Sequence, residues 1–291
     1  MTVATLEWQK LYRELDKALK NGGLGVSPIF VRIGGNMYNV KVIEYPNGSH
    51  KKIFYKEPIK SGYKRDKENN VFEKAGEVAD KDRSQQVSAN RAKNAVHDIS
   101  RSNTWEYFIT FTFSSNKVNR YDYQDISKKV SQWLKDVKRR KYPDMKYLCV
   151  PELHKDGAYH FHALVSDGLN LISAKSSKNG SILKDNAGRQ IYNVKDFKLG
   201  FTTATAVTDT EKVGSYLSKY ITKDLLEHTP NKKRYWKSSN LQEPTVSSVL
   251  LDKDSKMYAL AMEKEKADYV KVVDLNDINQ TITYLEYNIE K

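Results

Sequence analysis

Apolar and polar positions alternate most regularly between residues 104 and 225. In YFITFTF (107–113), alternate positions form one wholly apolar face and one mixed face, which predicts a β-strand with one buried side. The same period predicts strands in KYLCVPE (146–152), AYHFHALV (158–165) and FTTATAV (201–207). The middle of the chain therefore carries four predicted strands.

Two further segments of this region change to a helical period. Residues 123–141 place apolar side chains every three or four positions: Ile126, Val130, Trp133, Leu134 and Val137. Residues 208–227 predict a second helix with three candidate N-caps: Thr208, Asp209 or Thr210. The order strand, helix, strand, strand, strand, helix predicts an α+β domain, in which a mostly antiparallel sheet has its helices on one side.

The first 84 residues follow other patterns. A helical spacing comes first, formed by Leu6, Leu11, Leu15 and Leu19. Three strand-like runs follow (PIFVRI, MYNVKVIEY and KKIFYKEP), and Asn47-Gly48 predicts a hairpin turn between the last two. Residues 61–83 are charged and poor in large apolar side chains, which is typical of a linker or a mobile surface segment.

A basic helix is predicted over residues 85–102, QQVSANRAKNAVHDISRS. It marks the start of the regular central region. We therefore divide the chain into an N-terminal extension of unknown role (1–84), a central domain (85–245) and a C-terminal segment (246–291).

Composition narrows the partners and the compartment. The 291 residues carry a formal net charge of +13 and a pI of about 9.4, which favours a polyanionic partner. No apolar run is long enough to span a membrane and the N-terminus lacks a signal-peptide core, so nucleic acid in the cytosol is the expected partner. Cys149 is the only cysteine, which excludes an internal disulfide and a multi-cysteine zinc site.

Two histidines lie one residue apart in the strand 158–165. Because side chains alternate along a strand, His160 and His162 share one face. If the preceding hairpin has the three-residue loop 155–157, Glu152 lies opposite His160 on that face. Two imidazoles and a carboxylate suit a divalent cation with vacant coordination positions. The alternative is a pair of half-exposed histidines without a ligand.

A stripe of tyrosines and lysines follows on the predicted helix 208–227. Its members fall at i, i+3, i+4 and i+7: Tyr216, Lys219, Tyr220 and Lys223. The buried face is already supplied by Val213, Leu217, Ile221 and Leu225. A tyrosine hydroxyl, with a pKa of about 10, can attack a phosphodiester if a metal polarises the phosphate, leaving a 5′-phosphotyrosine and a free 3′-hydroxyl.

Three segments in this order resemble the motifs of HUH endonucleases that initiate rolling-circle replication in phages and plasmids. They are TWEYFITFTF, ELHKDGAYHFHALV and VGSYLSKYITKDL. The resemblance covers residues 85–245. It implies the HUH nickase fold, an α+β domain whose five-stranded antiparallel sheet is flanked by helices, with IYNVKDF (191–197) as the additional strand.

The resemblance also implies roles for individual residues. The metal ligands would be His160 and His162, with Glu152 as the third, and the metal would be Mg²⁺ or Mn²⁺. The nucleophiles would be Tyr216 and Tyr220, which the sequence does not rank, assisted by Lys219 and Lys223. Contacts with DNA phosphates are expected from the basic helix and its border: Arg83, Arg91, Lys93 and Arg101.

The implied activity is nicking and rejoining of a single-stranded or hairpin origin in the cytoplasm of a bacterial host. A host helicase and a DNA polymerase would be partners, since the sequence has no P-loop motif. A relaxase or a tyrosine transposase of the same class is an alternative. A repressor that binds DNA hairpins without cleaving them is another, and an unrelated histidine–carboxylate hydrolase of small molecules is a third.

Overall fold

The computed structural model describes residues 30–33, 37–60, 79–230, 232–254, 258, 261–262, 264–275 and 279–288. The chain divides into two compact units. The central unit comprises residues 72–243, and the terminal unit combines residues 1–71 with residues 244–291. The helix expected from Leu6 to Leu19 lies outside the described residues.

The described elements are named in chain order. The strands are β1 (Phe30–Ile33), β2 (Met37–Glu44), β3 (His50–Lys60), β4 (Tyr107–Phe113), β5 (Tyr147–Leu153), β6 (Tyr159–Val165), β7 (Leu171–Ser173), β8 (Tyr192–Val194), β9 (Gly200–Ala206), β10 (Trp236–Lys237), β11 (Thr245–Val249), β12 (Tyr269–Leu275) and β13 (Gln280–Tyr287). The helices are α1 (Ala79–Arg101), α2 (Tyr123–Arg140), α3 (Thr210–Ser218) and α4 (Lys223–His228), with a 3₁₀ turn at Lys264–Lys266.

The central unit is built on an antiparallel sheet with the strand order β10-β5-β6-β4-β9-β8-β7. The predicted α+β class is confirmed, as are the four predicted strands and the additional strand, which is β8. The sheet has seven strands instead of five because the short strands β7 and β10 extend its edges. Strands of two or three residues are too short to show a period in the sequence.

Helices cover both faces of this sheet, so the expectation of helices on one side was wrong. Ile109, Phe111 and Phe161 form one core together with α2, which contributes Ile126, Val130 and Leu134. Leu148, Val150 and Leu164 point to the opposite face and form a second core with α1 and α3. Strand alternation alone explains this division, since both faces of β5 and β6 are apolar over most of their length.

The predicted helix 208–227 is two helices. Helix α3 ends at Ser218 and α4 starts at Lys223. Between them Thr222 takes an extended conformation, and its side chain accepts a hydrogen bond from the backbone N–H of Leu225 at 3.2 Å. Thr222 therefore acts as an N-cap, which ends one helix and begins the next.

The terminal unit contains a six-stranded sheet with the order β1-β11-β2-β3-β13-β12. The predicted turn at Asn47-Gly48 is confirmed, with Gly48 at a φ of 89°. Strands β11 and β13 come from the C-terminal segment and pair with β2 and β3 of the N-terminal extension. The two ends of the chain therefore build one sheet, although the sequence patterns suggested two separate segments.

Membrane insertion finds no support in the described part of the chain, where no helix is long and apolar enough to cross a bilayer. Helix α1 starts at Ala79, six residues before the predicted start at residue 85.

Helices α1 and α3 approach each other closely at Gly214. A Cβ atom added to Gly214 would lie 1.8 Å from the Ser100 Oγ atom and 3.0 Å from the Ser100 Cβ atom. The Ser100 hydroxyl is itself held by a 2.7 Å hydrogen bond that it donates to the carbonyl oxygen of His97. Glycine at position 214 is thus required by the packing of the helix that carries Tyr216.

We expect the substitution Gly214→Ala to lower the free energy of unfolding by about 1–3 kcal/mol, the usual cost of overpacking. In an exposed helix interior the same change would be stabilising by about 1 kcal/mol, so the sign of the effect is diagnostic. Thermal or denaturant unfolding measures it. Adding Ser100→Ala should recover part of the stability, and a neutral or stabilising Gly214→Ala would contradict the close approach.

Candidate active site

The hairpin between β5 and β6 has the register that the sequence prediction required. The backbone N–H of His154 donates to the carbonyl oxygen of Ala158 at 2.9 Å, which closes a three-residue loop over residues 155–157. Gly157 has a φ of 81°, a left-handed conformation that glycine adopts without strain. Glu152 and His160 are direct partners across the two strands. The predicted loop is confirmed.

Glu152 makes its closest side-chain contact with the other histidine, on the diagonal. The Oε2 atom of Glu152 lies 2.7 Å from Nε2 of His162, and the Nδ1 atom of His162 lies 3.1 Å from the hydroxyl of Thr110. Burial alone would raise the pKa of Glu152, but its hydrogen bond with His162 and the nearby imidazoles outweigh that effect, and the pKa is lowered. Glu152 is therefore held as a carboxylate.

His162 is buried, with 4% of its surface exposed, so the expectation of two half-exposed histidines fails for this residue. The ring of Tyr220 covers it, with ring centroids 3.6 Å apart and planes inclined by 14°. Phe108 contacts the same two rings at centroid distances of 5.7 Å and 6.4 Å. His162 thus lies between a carboxylate, a threonine hydroxyl and a tyrosine ring.

His160 is half-buried and lies against His154. Their rings stack with centroids 5.0 Å apart and planes inclined by 9°, and Nδ1 of His154 lies 3.0 Å from Oδ1 of Asp156. Burial lowers the pKa of His160, and the neighbouring His154 adds to that shift. His160 therefore favours the neutral imidazole, which is the form that binds metals.

The two candidate nucleophiles meet through their hydroxyl groups. The hydroxyl of Tyr220 donates a 3.0 Å hydrogen bond to the hydroxyl of Tyr216, and Tyr216 is 48% exposed. Burial raises the pKa of Tyr220 well above its usual value, and the bond to Tyr216 raises it further. In this arrangement Tyr220 holds its proton firmly, so its oxygen needs an additional group to become a nucleophile.

The two lysines of the predicted stripe separate because the helix is interrupted. The Nζ atom of Lys219 lies 5.8 Å from the ring centroid of Tyr216. Lys223 begins α4 and forms an ion pair with Glu227 at 3.5 Å. The spacing that placed Lys223 on one face with the tyrosines assumed a continuous helix, and the structure does not contain one there.

The four cations expected to contact DNA differ in accessibility. Arg91 is exposed and Lys93 is half-buried on α1, whereas the side chain of Arg83 lies outside the described part. Arg101 is buried, with 4% of its surface exposed, so it does not present its guanidinium group at the surface of this structure. The last turn of α1 faces the core, which a charge count along the sequence does not detect.

The donor atoms on the sheet face fit a divalent cation chemically. Two neutral imidazoles and one ionised carboxylate form an N₂O set, and Thr110 orients His162 as metal-bound histidines require. However, no group of three or more His, Cys, Asp or Glu side chains in the described ranges is arranged to hold a metal. Glu152 and His162 instead bind each other, and that contact would have to open for both to bind one ion.

Several residues of this site were missed from the sequence. Thr110 and Phe108 lie in β4 on the same face as His162, and Thr110 is its direct partner in the sheet. Strand alternation placed Phe108, Thr110 and Thr112 on the mixed face, so the signal was present. Nothing in the sequence indicated that His154 and Asp156 of the loop would contact the site.

The fold and the site define a class: an antiparallel α+β domain with a histidine–carboxylate pair beside two tyrosines. Residues 106–225 match the family model of the replication-associated protein ORF2. This segment runs from β4 into α4 and contains Glu152, both histidines and both tyrosines. No curated protein and no solved structure matches the chain significantly. The family match indicates a replication-associated, DNA-binding role for the central unit.

Binding of single-stranded DNA tests the exposed cations of α1. We expect Arg91→Ala with Lys93→Ala to reduce the slope of log K against log salt concentration by about 1.4, or about 0.7 for each phosphate that is no longer bound. Fluorescence anisotropy over a salt series measures this slope. Lys264→Ala with Lys271→Ala removes the same charge from the terminal unit as a control. Equal slopes for the two variants would mean that α1 is merely a solvated surface.

Proposed function

We propose that the central unit nicks and rejoins single-stranded origin DNA and so initiates rolling-circle replication. One observation carries this proposal. Two tyrosine hydroxyls lie 3.0 Å apart, and one of the two rings stacks directly on a histidine that is bonded to a carboxylate. The match of residues 106–225 to a replication-associated family supports the same assignment.

The proposed reaction is a transesterification. A tyrosine oxygen attacks the scissile phosphorus, the bond from phosphorus to the 3′ oxygen breaks, and the phenolic proton is lost while the leaving oxygen gains one. The products are a 5′-phosphotyrosine and a free 3′-hydroxyl. Attack by a 3′-hydroxyl on the phosphotyrosine reverses the reaction and rejoins the strand, so no external energy source is needed.

Residues of this chain would bind and orient the reacting groups. Glu152, His160 and His162 would hold Mg²⁺ or Mn²⁺, which when bound would polarise the oxygens of the phosphate. Lys219, beside the ring of Tyr216, would balance negative charge on the phosphate or the phenolate. Thr110 would keep the His162 ring in one orientation through its hydroxyl.

Two tyrosines suit the two transfers of a replication cycle. One opens the circle and stays attached to the 5′ end, and the other attacks at the second cleavage while the first is occupied. Their hydroxyls are already adjacent, so small side-chain rotations would bring either one to a shared phosphate. Beyond the nick, a host helicase and a DNA polymerase would unwind and extend the strand.

A non-catalytic DNA-binding role is the second candidate, because one observation favours it. Tyr220 covers His162, and Glu152 is engaged with the same imidazole, so the described residues do not form an open metal site. One assay separates the two functions. A labelled single-stranded origin oligonucleotide with Mn²⁺ or Mg²⁺ gives a covalent protein–DNA band with a nickase and only a reversible complex with a binder.

The metal ligands can be tested with substitutions that preserve volume. We expect Glu152→Gln and His160→Gln each to lower the rate of adduct formation at least tenfold, because each removes or weakens one ligand. Glutamine is preferable to alanine because the site is partly or wholly buried and a cavity would confuse the result. Denaturing gels measure the adduct, and unfolding curves check the fold.

A matched control for these ligands is His228→Gln, which changes an exposed histidine of α4 whose ring contacts only a backbone carbonyl. Removal of divalent ions with EDTA should stop cleavage by the wild-type protein, and added Mn²⁺ should restore it. Cleavage at the wild-type rate by Glu152→Gln and His160→Gln together would refute the metal site.

The tyrosines are tested by removing only their oxygens. We expect Tyr216→Phe and Tyr220→Phe each to retain some cleavage, and the double variant to retain none. Each single variant should fail to complete strand transfer, because one nucleophile is missing. The aromatic packing against Phe108 and His162 is kept by phenylalanine. If one single variant forms no adduct while the other nicks and joins normally, only one tyrosine is catalytic.

A further inference from the structure

We propose that a cleft along α2, on the sheet face opposite the tyrosines, binds the phosphate backbone of a second stretch of nucleic acid. This cleft, called the α2 cleft below, has a volume of about 390 Å³. The residues that carry the proposal are Gln124, Lys128, Lys135, Lys232, Lys233 and Trp236. The α2 cleft is not part of the site proposed for cleavage.

The sheet itself separates the two sites. Helix α2 packs on the face formed by Ile109, Phe111 and Phe161. Thr110 and His162 occupy the intervening positions of β4 and β6 and point to the other face, where Tyr220 covers His162. A nucleic acid bound at the tyrosines therefore does not fill the α2 cleft.

The charge of the α2 cleft is not neutralised by the protein. Lys128 and Lys135 lie on one side of α2, two turns and roughly 10 Å apart along the helix axis. Together with Lys232 and Lys233 they give four exposed ammonium groups. Among the described residues none of these four forms an ion pair, although Lys129 on the same helix pairs with Asp125 at 2.6 Å. The lining contains no aspartate or glutamate.

The wall of the α2 cleft is held in place by specific contacts. Lys232 donates a hydrogen bond to the side-chain oxygen of Gln124 at 3.2 Å, and the hydroxyl of Tyr123 donates to the backbone carbonyl of Lys233. The buried guanidinium group of Arg234 donates to the carbonyl and the hydroxyl of Thr229 in the same segment. The two lysines of this segment therefore have fixed backbones, and only their ends move.

The lining indicates nucleic acid in preference to a membrane. Between the lysines lie Ser127, Ser131 and Gln132, which donate hydrogen bonds, and the aromatic ring of Trp236 is buried. Apolar side chains that could insert into a bilayer are absent from the exposed lining. Hydroxyls, amides and ammonium groups together are the donors that bind backbone phosphates without reading the bases.

The α2 cleft is close in sequence to the tyrosines. The segment with Lys232 and Lys233 directly follows α4, which begins three residues after Tyr220. A strand that leaves the tyrosine site along α4 would meet these lysines at the edge formed by β10. The α2 cleft would thus retain flanking DNA, either single-stranded or duplex, while the ends at the tyrosines change.

The test measures binding without cleavage, in a Tyr216→Phe and Tyr220→Phe background. The cleft variant changes Lys128, Lys135, Lys232 and Lys233 to Ala. The control variant changes four exposed lysines of the terminal unit to Ala: Lys56, Lys60, Lys264 and Lys271. Both lower the net charge by four, so a difference between them reports position and not total charge.

The cleft variant should reduce the slope of log K against log salt concentration by about 2.8 on a long single strand or about 3.6 on a duplex. The control variant should change either slope by much less. The arm with the larger difference identifies the bound form. Equal slopes for the two variants on both DNAs would overturn the proposal. Because no cleavage is measured, a failure to form tyrosine adducts leaves this result interpretable.

Chemical modification locates the contact independently. Saturating DNA should slow the acetylation of Lys128, Lys135, Lys232 and Lys233 at least threefold, measured by mass spectrometry, while Lys264 reacts at an unchanged rate. Anionic phospholipid vesicles serve as the other arm. Protection by vesicles but not by DNA would show a membrane-binding surface and overturn the proposal, as would equal reactivity with and without DNA.

Discussion

The register of the β5–β6 hairpin is the constraint on which the candidate site depends. Side chains on a strand alternate with a period of two, so a slip by one residue would exchange the two faces. Gly157, in its left-handed conformation, closes a loop of three residues and fixes the pairing of Glu152 with His160. The same register puts His162 on the diagonal from Glu152, within hydrogen-bonding distance.

The tyrosines reach this sheet face through two features of the helical layer. Gly214 lets α3 approach α1 closely, and Thr222 interrupts the helix directly after Tyr220. As a result Tyr220 lies in a turn, where its ring can stack on His162. The stack shields the imidazole from solvent, so the proposed reaction requires Tyr220 to rotate away before a phosphate can lie near His162. A side chain in a turn can rotate more easily than one in the middle of a packed helix.

Much of this arrangement follows from the sequence, for physical reasons. Residues 107–113 and 123–141 were predicted to within one residue, because alternation and helical spacing are local signals. The break at Thr222 was not predicted, because Ile221 and Leu225 continue the apolar spacing across it. Pairing of β2 and β3 with β11 and β13 depends on contacts between distant parts of the chain, which no local pattern encodes. The burial of Arg101 was missed because charge alone does not indicate which side of a helix faces the core.

The distribution of charge over the central unit supports a division of tasks between the two faces of its sheet. On one face, the ionised Glu152 lies among imidazoles and phenols, where a few groups are held in fixed geometry. On the other face, Lys128, Lys135, Lys232 and Lys233 are exposed around a polar cleft. An enzyme that cuts its own ligand at one site loses part of its grip with each cleavage. A separate backbone-binding surface would keep the complex together between two transfers, since phosphate contacts bind without depending on sequence or on the state of the ends.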